Sequence, residues 1–99
     1  MVRHVLLLKL HDGVGAQDLA ALDAAFHQLL AGFPAVEGRL GRALYLPGSS
    51  GQSADYAVTL DFKSPEDFAA YIHDPRHQSF VQEVLSPLRE ASWSAQIEL

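Results

Sequence analysis

The sequence predicts a single α+β domain over residues 1–99, and three observations support this fold class. Short segments rich in Val and Leu alternate with longer segments in which apolar residues recur at helical spacing. Turn residues separate them, giving the order strand, helix, strand, strand, helix, helix, strand. The composition, with 48% hydrophobic and 19% charged residues, is that of a globular domain.

The first strand is predicted over residues 2–10, because turn residues follow it at Asp12-Gly13. Its side chains alternate between two faces, which carry His4, Leu6, Leu8 and Leu10 on one side and Arg3, Val5, Leu7 and Lys9 on the other. A helix follows from about Ala16 to Ala31, with its apolar stripe at Leu19, Leu22, Phe26, Leu29 and Leu30.

The next strand, Val36 to Tyr45, is the weakest element, and Gly38 and Gly41 within it are compatible with a bulge. Residues 47–53 have the composition of a flexible loop. Strict alternation of apolar and smaller or polar residues then predicts a half-buried strand over residues 56–62.

Two helices meet at a predicted break. Ser64-Pro65 begins the first helix with a hydroxyl cap and a proline at the first position. Asp74 precedes a proline, so the helix stops there and a second one opens at Pro75 and runs to about Leu85, where Ser86-Pro87 disturbs its end.

The last strand places Trp93, Ala95, Ile97 and Leu99 opposite Ser92, Ser94, Gln96 and Glu98. This order of elements is a split βαβ unit, a ferredoxin-like four-stranded antiparallel sheet with helices on one face. The other face would carry a mixture of apolar and polar groups, namely Val5, Leu7, Ala57, Thr59, Arg3, Lys9 and Asp61. Packing against a second copy about a twofold axis would cover it, which predicts a homodimer.

The segment Tyr71-x-x-x-Pro75-x-His77-x-x-Phe80, behind an opening strand that contains His4, resembles the stress-responsive dimeric α/β-barrel (Dabb) family over essentially the whole chain. The resemblance implies that two sheets close into a dimeric barrel. In the plant polyketide cyclases of that family, the histidine at the position of His77 is the catalytic base. The tyrosine matching Tyr71 holds and polarises the polyketide, and a histidine matching His4 lines the pocket.

The residues themselves leave two interpretations of these three side chains. His77 lies on the apolar stripe of its helix, where the helix N-terminus disfavours a positive charge, so it is either a neutral base or a structural histidine. Tyr71 points inward and either polarises a substrate or anchors its hydroxyl to the backbone. The surrounding space would be walled by Leu6, Leu8, Leu22, Phe26, Val58, Phe80, Val84, Leu88 and Trp93. Without an opening, the same residues would form a core.

Two residues depart from the plant cyclases. Phe26 stands where they have a second pocket tyrosine, and Asp74 stands where they have a histidine before the proline. Both differences put the same substrate in doubt, although not the existence of a pocket.

These residues are compatible with three functions. The first is a cofactor-free acid–base catalyst of aldol-type chemistry on a small apolar carbonyl compound, with His77 as base and Tyr71 and His4 as hydrogen-bond donors. The second is a protein that binds a small apolar ligand without chemistry. The third is a cofactor-free monooxygenase of the related barrel class, in which Trp93 would suit an aromatic substrate.

Composition argues against several other classes. The absence of cysteine excludes thiolate chemistry, and Pro75 separates His73 from His77, so neither a metal site nor a cofactor is expected. A net charge of −5 without a basic cluster argues against nucleic acid and anionic membranes as partners. No apolar run is long enough to span a membrane, and charged residues interrupt the N-terminal strand, so a cytoplasmic location is expected.

Overall fold

The computed structural model describes residues 1–49 and 54–99, so the predicted loop at 47–53 falls partly outside the described residues. The strands are β1 (Val2–Leu10), β2 (Glu37–Arg42), β3 (Tyr56–Phe62) and β4 (Arg89–Glu98). The helices are α1 (Ala16–Ala31), α2 (Pro65–His73), α3 (Pro75–Phe80), a π-helical turn (Val81–Leu85) and α4 (Ser86–Leu88). In the described part of the chain, no helix is both long and apolar enough to cross a bilayer.

The strands form one antiparallel sheet in the order β2-β3-β1-β4, which confirms the predicted ferredoxin-like α+β arrangement. The central strands β1 and β3 pair in a register that places Leu6 opposite Val58 and Leu8 opposite Tyr56. Helices pack on the face that carries these residues. The core between sheet and helices consists of Leu8, Leu10, Leu22, Phe26, Leu29, Tyr56, Val58, Leu60, Phe62, Tyr71, Phe80 and Leu85.

The helix break at Asp74 is present as predicted. Ser64 caps α2 by accepting a hydrogen bond from the Asp67 N–H at 3.1 Å, and Pro65 takes the first helical position. Asp74 itself is extended, with φ −64° and ψ 134°, because the following proline disfavours the helical conformation. Its carboxylate accepts a hydrogen bond from the Arg76 N–H at 2.8 Å, and this caps α3.

Two elements differ from the prediction. The strand expected over Val36–Tyr45 is limited to Glu37–Arg42, and its register with β3 is unbroken, so its glycines produce no bulge. The irregularity lies instead where β1 pairs with β4, between Lys9 and Leu10.

The second difference is the helix that was expected to end near Leu85. It continues to Leu88 through the π-helical turn, in which the Ser86 N–H donates to the Val81 carbonyl. Pro87 has no N–H to offer to an α-helical ladder, and a π-turn is a common way to continue a helix past such an interruption.

The face of the sheet away from the helices, here called the open face, carries apolar side chains in contact with solvent. Leu7 lies opposite Trp93 in the pairing of β1 with β4, and these side chains are 37% and 46% exposed. Arg3 and Asp61 form a two-pronged ion pair on the same face, with N–O distances of 2.7 and 2.9 Å. This mixture of apolar and paired charged groups agrees with the predicted composition of the face.

Candidate functional site

Tyr71 and His77 meet at the break between α2 and α3. Tyr71 lies in the last turn of α2 and His77 in the first turn of α3, and their ring centroids are 4.6 Å apart. Tyr71 is only 3% exposed, whereas His77 is half-buried. The helix break therefore brings a phenol and an imidazole into direct contact.

The hydrogen bonding of His77 defines which of its nitrogens can act as a base. Nδ1 lies 3.0 Å from the carbonyl oxygen of Ile72, which can only accept, so Nδ1 carries the proton. In the neutral ring, Nε2 therefore keeps a free lone pair. Burial lowers the pKa of His77, and the neighbouring His4 lowers it further, so the neutral form prevails near pH 7. The bond to Ile72 is also the one expected of a structural histidine, but it occupies a single ring nitrogen.

Tyr71 is held by its ring and not by its hydroxyl. Phe33 and Phe62 pack against it with centroid distances of 5.0 and 5.3 Å. Within residues 1–49 and 54–99 the hydroxyl makes no hydrogen bond to the protein, so the backbone anchor considered for it is not found there. No buried side-chain oxygen among these residues lacks a partner, so the hydroxyl reaches solvent. Burial raises the pKa of Tyr71, so the phenol remains protonated and able to donate.

His4 approaches the same corner from β1. It is 8% exposed, and its ring lies 5.2 Å from that of Phe68 on α2. Its Nδ1 is 2.7 Å from Oε1 of Gln96, the residue opposite it on β4. Gln96 and Ser94 on β4 lie opposite His4 and Leu6 on β1 and face the helices with them, yet both are exposed. The helix-facing side of β4 next to His4 is therefore open to solvent.

Gln96 and the carbonyl of Ile72 were not identified from the sequence. Gln96 is separated from His4 by 92 positions in the chain, and only the register of β1 with β4 brings the two together. The Ile72 carbonyl is a backbone group whose availability depends on the helix ending one residue later, at His73. Neither contact has a local sequence signature.

The residues predicted to wall a pocket divide into two groups in the structure. Leu8, Leu22, Phe26, Val58 and Phe80 are buried members of the core, and the Phe26 and Phe80 rings are 4.6 Å apart. The others on the helix side pack at its margin, partly buried; these are Leu6, Val84 and Leu88. These side chains therefore fill the interior by packing against one another.

The assignment of Trp93 to this pocket was wrong. Its position opposite Leu7 places it on the open face, on the other side of the sheet from His4 and Tyr71. The physical reason is the register of β4, which turns Ser94 and Gln96 toward the helices and the apolar side of the strand away from them.

His73 and His77 diverge as predicted. His73 Nδ1 bonds the Ala69 carbonyl at 2.8 Å on the exposed side of α2, whereas His77 turns toward Tyr71. His11 and His27 are exposed. Among the described residues, no three His, Asp or Glu side chains are grouped so that they could hold a metal ion.

Comparison with known proteins agrees with the fold. A ferredoxin-like dimeric protein of unknown function from Thermobifida fusca has 24% identity and a TM-score of 0.83, over 99% of this chain and 90% of that one. A protein from Arabidopsis thaliana has 23% identity and a TM-score of 0.85, over 100% and 95% of the two chains. A hydroxynitrile lyase from Passiflora edulis has 20% identity and a TM-score of 0.84, over 99% and 92%.

These identities establish the shared fold and nothing finer. No curated protein sequence matches this chain. The family model described as the stress responsive A/B barrel domain (Dabb) matches residues 2–98. The chain therefore belongs to the Dabb family of stress-responsive α/β-barrel domains.

Proposed function

We propose that the chain is a cofactor-free acid–base catalyst that acts on a small, largely apolar carbonyl compound. The observation that carries this proposal is the Tyr71–His77 contact, in which the imidazole has a free Nε2 and the phenol has no hydrogen-bond partner in the described residues. A neutral imidazole with a lowered pKa beside a protonated phenol is a suitable pair of proton acceptor and donor.

In the proposed reaction, Nε2 of His77 removes a proton from the carbon next to a carbonyl group. The electron pair of the broken C–H bond moves to the carbonyl oxygen, and the enolate accepts a hydrogen bond from the Tyr71 hydroxyl. In an aldol step the enolate carbon then attacks a second carbonyl, and the resulting alkoxide takes the proton back from His77. This is polyketide-cyclase-like chemistry.

His4 contributes a second polar group to the same oxygen. With Nδ1 bonded to Oε1 of Gln96, its Nε2 donates when the ring is protonated. Rotation of the Gln96 amide would present NH₂ to Nδ1 and leave the proton of the neutral ring on Nε2. In both states Gln96 holds the imidazole in one orientation.

Deuterium exchange tests the proton-transfer step without knowledge of the natural substrate. Acetophenone in D₂O is followed by NMR for loss of its α-proton signal. We expect His77→Ala to lower the catalysed rate by roughly 10²- to 10⁴-fold, the usual contribution of a positioned base. Tyr71→Phe should lower it less, since the base remains. His27→Ala is the matched control, because His27 is exposed on α1. Unchanged exchange in His77→Ala would contradict the mechanism.

The alternative function is binding of a small apolar or aromatic ligand without chemistry. The filled interior favours it, because the predicted pocket residues pack against one another and leave the polar groups at the margin of the core. Ligand recovered unchanged after long incubation, with affinity weakened in His77→Ala, would support this alternative. The monooxygenase hypothesis is based on the similar barrel of that class, with Trp93 as a wall suited to an aromatic substrate. The second support is lost, because that side chain lies on the open face.

We also propose that the chain is a homodimer that covers its open face. The exposed Leu7 and Trp93 provide apolar area, and the Arg3–Asp61 pair neutralises its own charges. The Thermobifida fusca protein is described as dimeric, which supports the proposal. A cytoplasmic location and the absence of nucleic-acid or membrane partners remain predictions from the sequence.

A further inference from the structure

Arg76 is bound on several sides at the break between α2 and α3. Its Nε and Nη2 donate to the two carboxylate oxygens of Asp74, each at 3.0 Å. The same carboxylate accepts the Arg76 backbone N–H at 2.8 Å. A two-pronged bond to a carboxylate that already caps the helix restricts both the side chain and the first turn of α3.

The guanidinium also reaches the C-terminal end of α1. Nη1 donates to the Gly32 carbonyl at 3.2 Å, and the guanidinium carbon lies 4.3 Å from the centroid of the Phe33 ring. A Cβ at Gly32 would lie only 2.5 Å from Nη1, so glycine is needed for this approach. Phe33 in turn packs edge-on against Tyr71. Arg76 thus ties α3 to the end of α1 and, through Phe33, to the candidate site.

His77 follows Arg76 in the chain, and three charged or titratable side chains face it in the described residues. Asp74 faces it from the helix junction, His4 from β1 and Tyr71 from α2. The carboxylate of Asp74 favours the protonated imidazole, whereas burial and His4 favour the neutral one. Arg76 binds both oxygens of that carboxylate, and its positive charge weakens the field of the carboxylate at the imidazole.

We propose that Arg76 is a positioning residue for His77: it holds the first turn of α3 against α1 and weakens the effect of the Asp74 charge, so that the imidazole next to Tyr71 remains an uncharged base. The inference rests on the proposed catalytic role of His77. The protonation state and the position of the His77 ring can be measured without a substrate.

The test follows the His77 ring nitrogens by ¹⁵N NMR over pH in the full chain. In Arg76→Leu, the unpaired Asp74 carboxylate should raise the pKa of His77 by roughly 0.3–0.5 unit, a two- to threefold change in its protonation equilibrium. The double variant Asp74→Asn with Arg76→Leu should return it to the wild-type value or below. Arg42→Leu, which removes one exposed positive charge at the far end of β2, should leave it unchanged.

The reversal in the double variant separates this role from a merely structural one, since that variant has lost more of the contacts than the single one. A pKa of His77 that is unchanged in Arg76→Leu, or that rises further in the double variant, overturns the proposal. If Arg76→Leu does not fold, Arg76→Gln serves in its place, because it keeps a donor for the Gly32 carbonyl and removes the charge. The deuterium-exchange activity is measured separately. If His77→Ala exchanges at the wild-type rate, the proposed function is refuted, whereas the proposal about the pKa of His77 is still tested by the NMR titration.

Discussion

Trp93→Ala should weaken self-association in addition to its cost to the fold, because the side chain is partly covered within its own protomer. A tryptophan side chain covers about 150–250 Å², and Trp93 is 46% exposed, so on the order of 100 Å² per protomer remains to be covered by a partner. At about 25 cal/mol per Å², this is worth ~2.5 kcal/mol for each protomer and ~5 kcal/mol for a twofold interface. If half to all of that area is covered, the dissociation constant should rise by roughly 10²- to 10⁴-fold.

Sedimentation equilibrium measures this effect directly, as a change in the fraction of 10.8 kDa protomer with concentration. Trp93 is also the single tryptophan of the chain, so its fluorescence reports on its own surroundings. The emission maximum should move to shorter wavelength as the wild-type protein associates. Leu44→Ala is the control, because Leu44 is 70% exposed but lies outside the strands.

Two results would refute the reasoning. Equal dissociation constants for the wild type and Trp93→Ala would show that the open face is not the interface. Emission typical of a buried indole in the dilute monomer, together with a large loss of monomer stability in Trp93→Ala, would place the side chain inside the domain after all.

Three further predictions concern stability, measured by urea unfolding. Gly38→Ala should cost about 1–3 kcal/mol, because its Cβ would meet the methyl carbons of two leucines at 2.8 and 3.1 Å, whereas Gly41→Ala, with nothing within 4 Å, should be tolerated. Tyr56→Phe removes the hydrogen bond that the Tyr56 hydroxyl donates to the Asp23 carboxylate on α1, and it should lower the free energy of unfolding by about 1–3 kcal/mol. The control is Tyr45→Phe, because Tyr45 is exposed. Burial lowers the pKa of His77, so the neutral ring contributes its full share to the free energy of unfolding above pH 6.5, and this share is lost as the pH falls below that value. His77→Gln should remove this part of the dependence of stability on pH. An unchanged pH dependence would contradict the burial of a neutral imidazole.

Local signals in the sequence determined most of the secondary structure. The bounds of α1 and of the strand Tyr56–Phe62 agree with the prediction, and so does the break at Asp74-Pro75. Caps and prolines act within a few residues of themselves, so they can be identified without a tertiary structure. The same holds for the approximate meeting of Tyr71 and His77, because the break that joins them is local.

The continuation of the last helix depended on contacts outside the local sequence. Ser86-Pro87 indicated an end, yet a π-turn carries the chain on to Leu88. A helix can continue past a missing N–H by changing its backbone hydrogen bonds from the α to the π pattern. Whether it does so depends on the packing of side chains such as Leu85 against the core.

The two faces of β4 show most clearly what only the tertiary structure decided. Alternation identifies Trp93 and Ile97 as members of one face, but it does not say whether that face meets the helices or the open side. Pairing with β1 turned Gln96 toward His4 and Trp93 away from it. Apolar side chains are stabilised equally by a helix layer or by a second sheet, because burial of apolar area has no preferred direction. The register of β4 with β1 therefore decides which layer the apolar side of β4 faces.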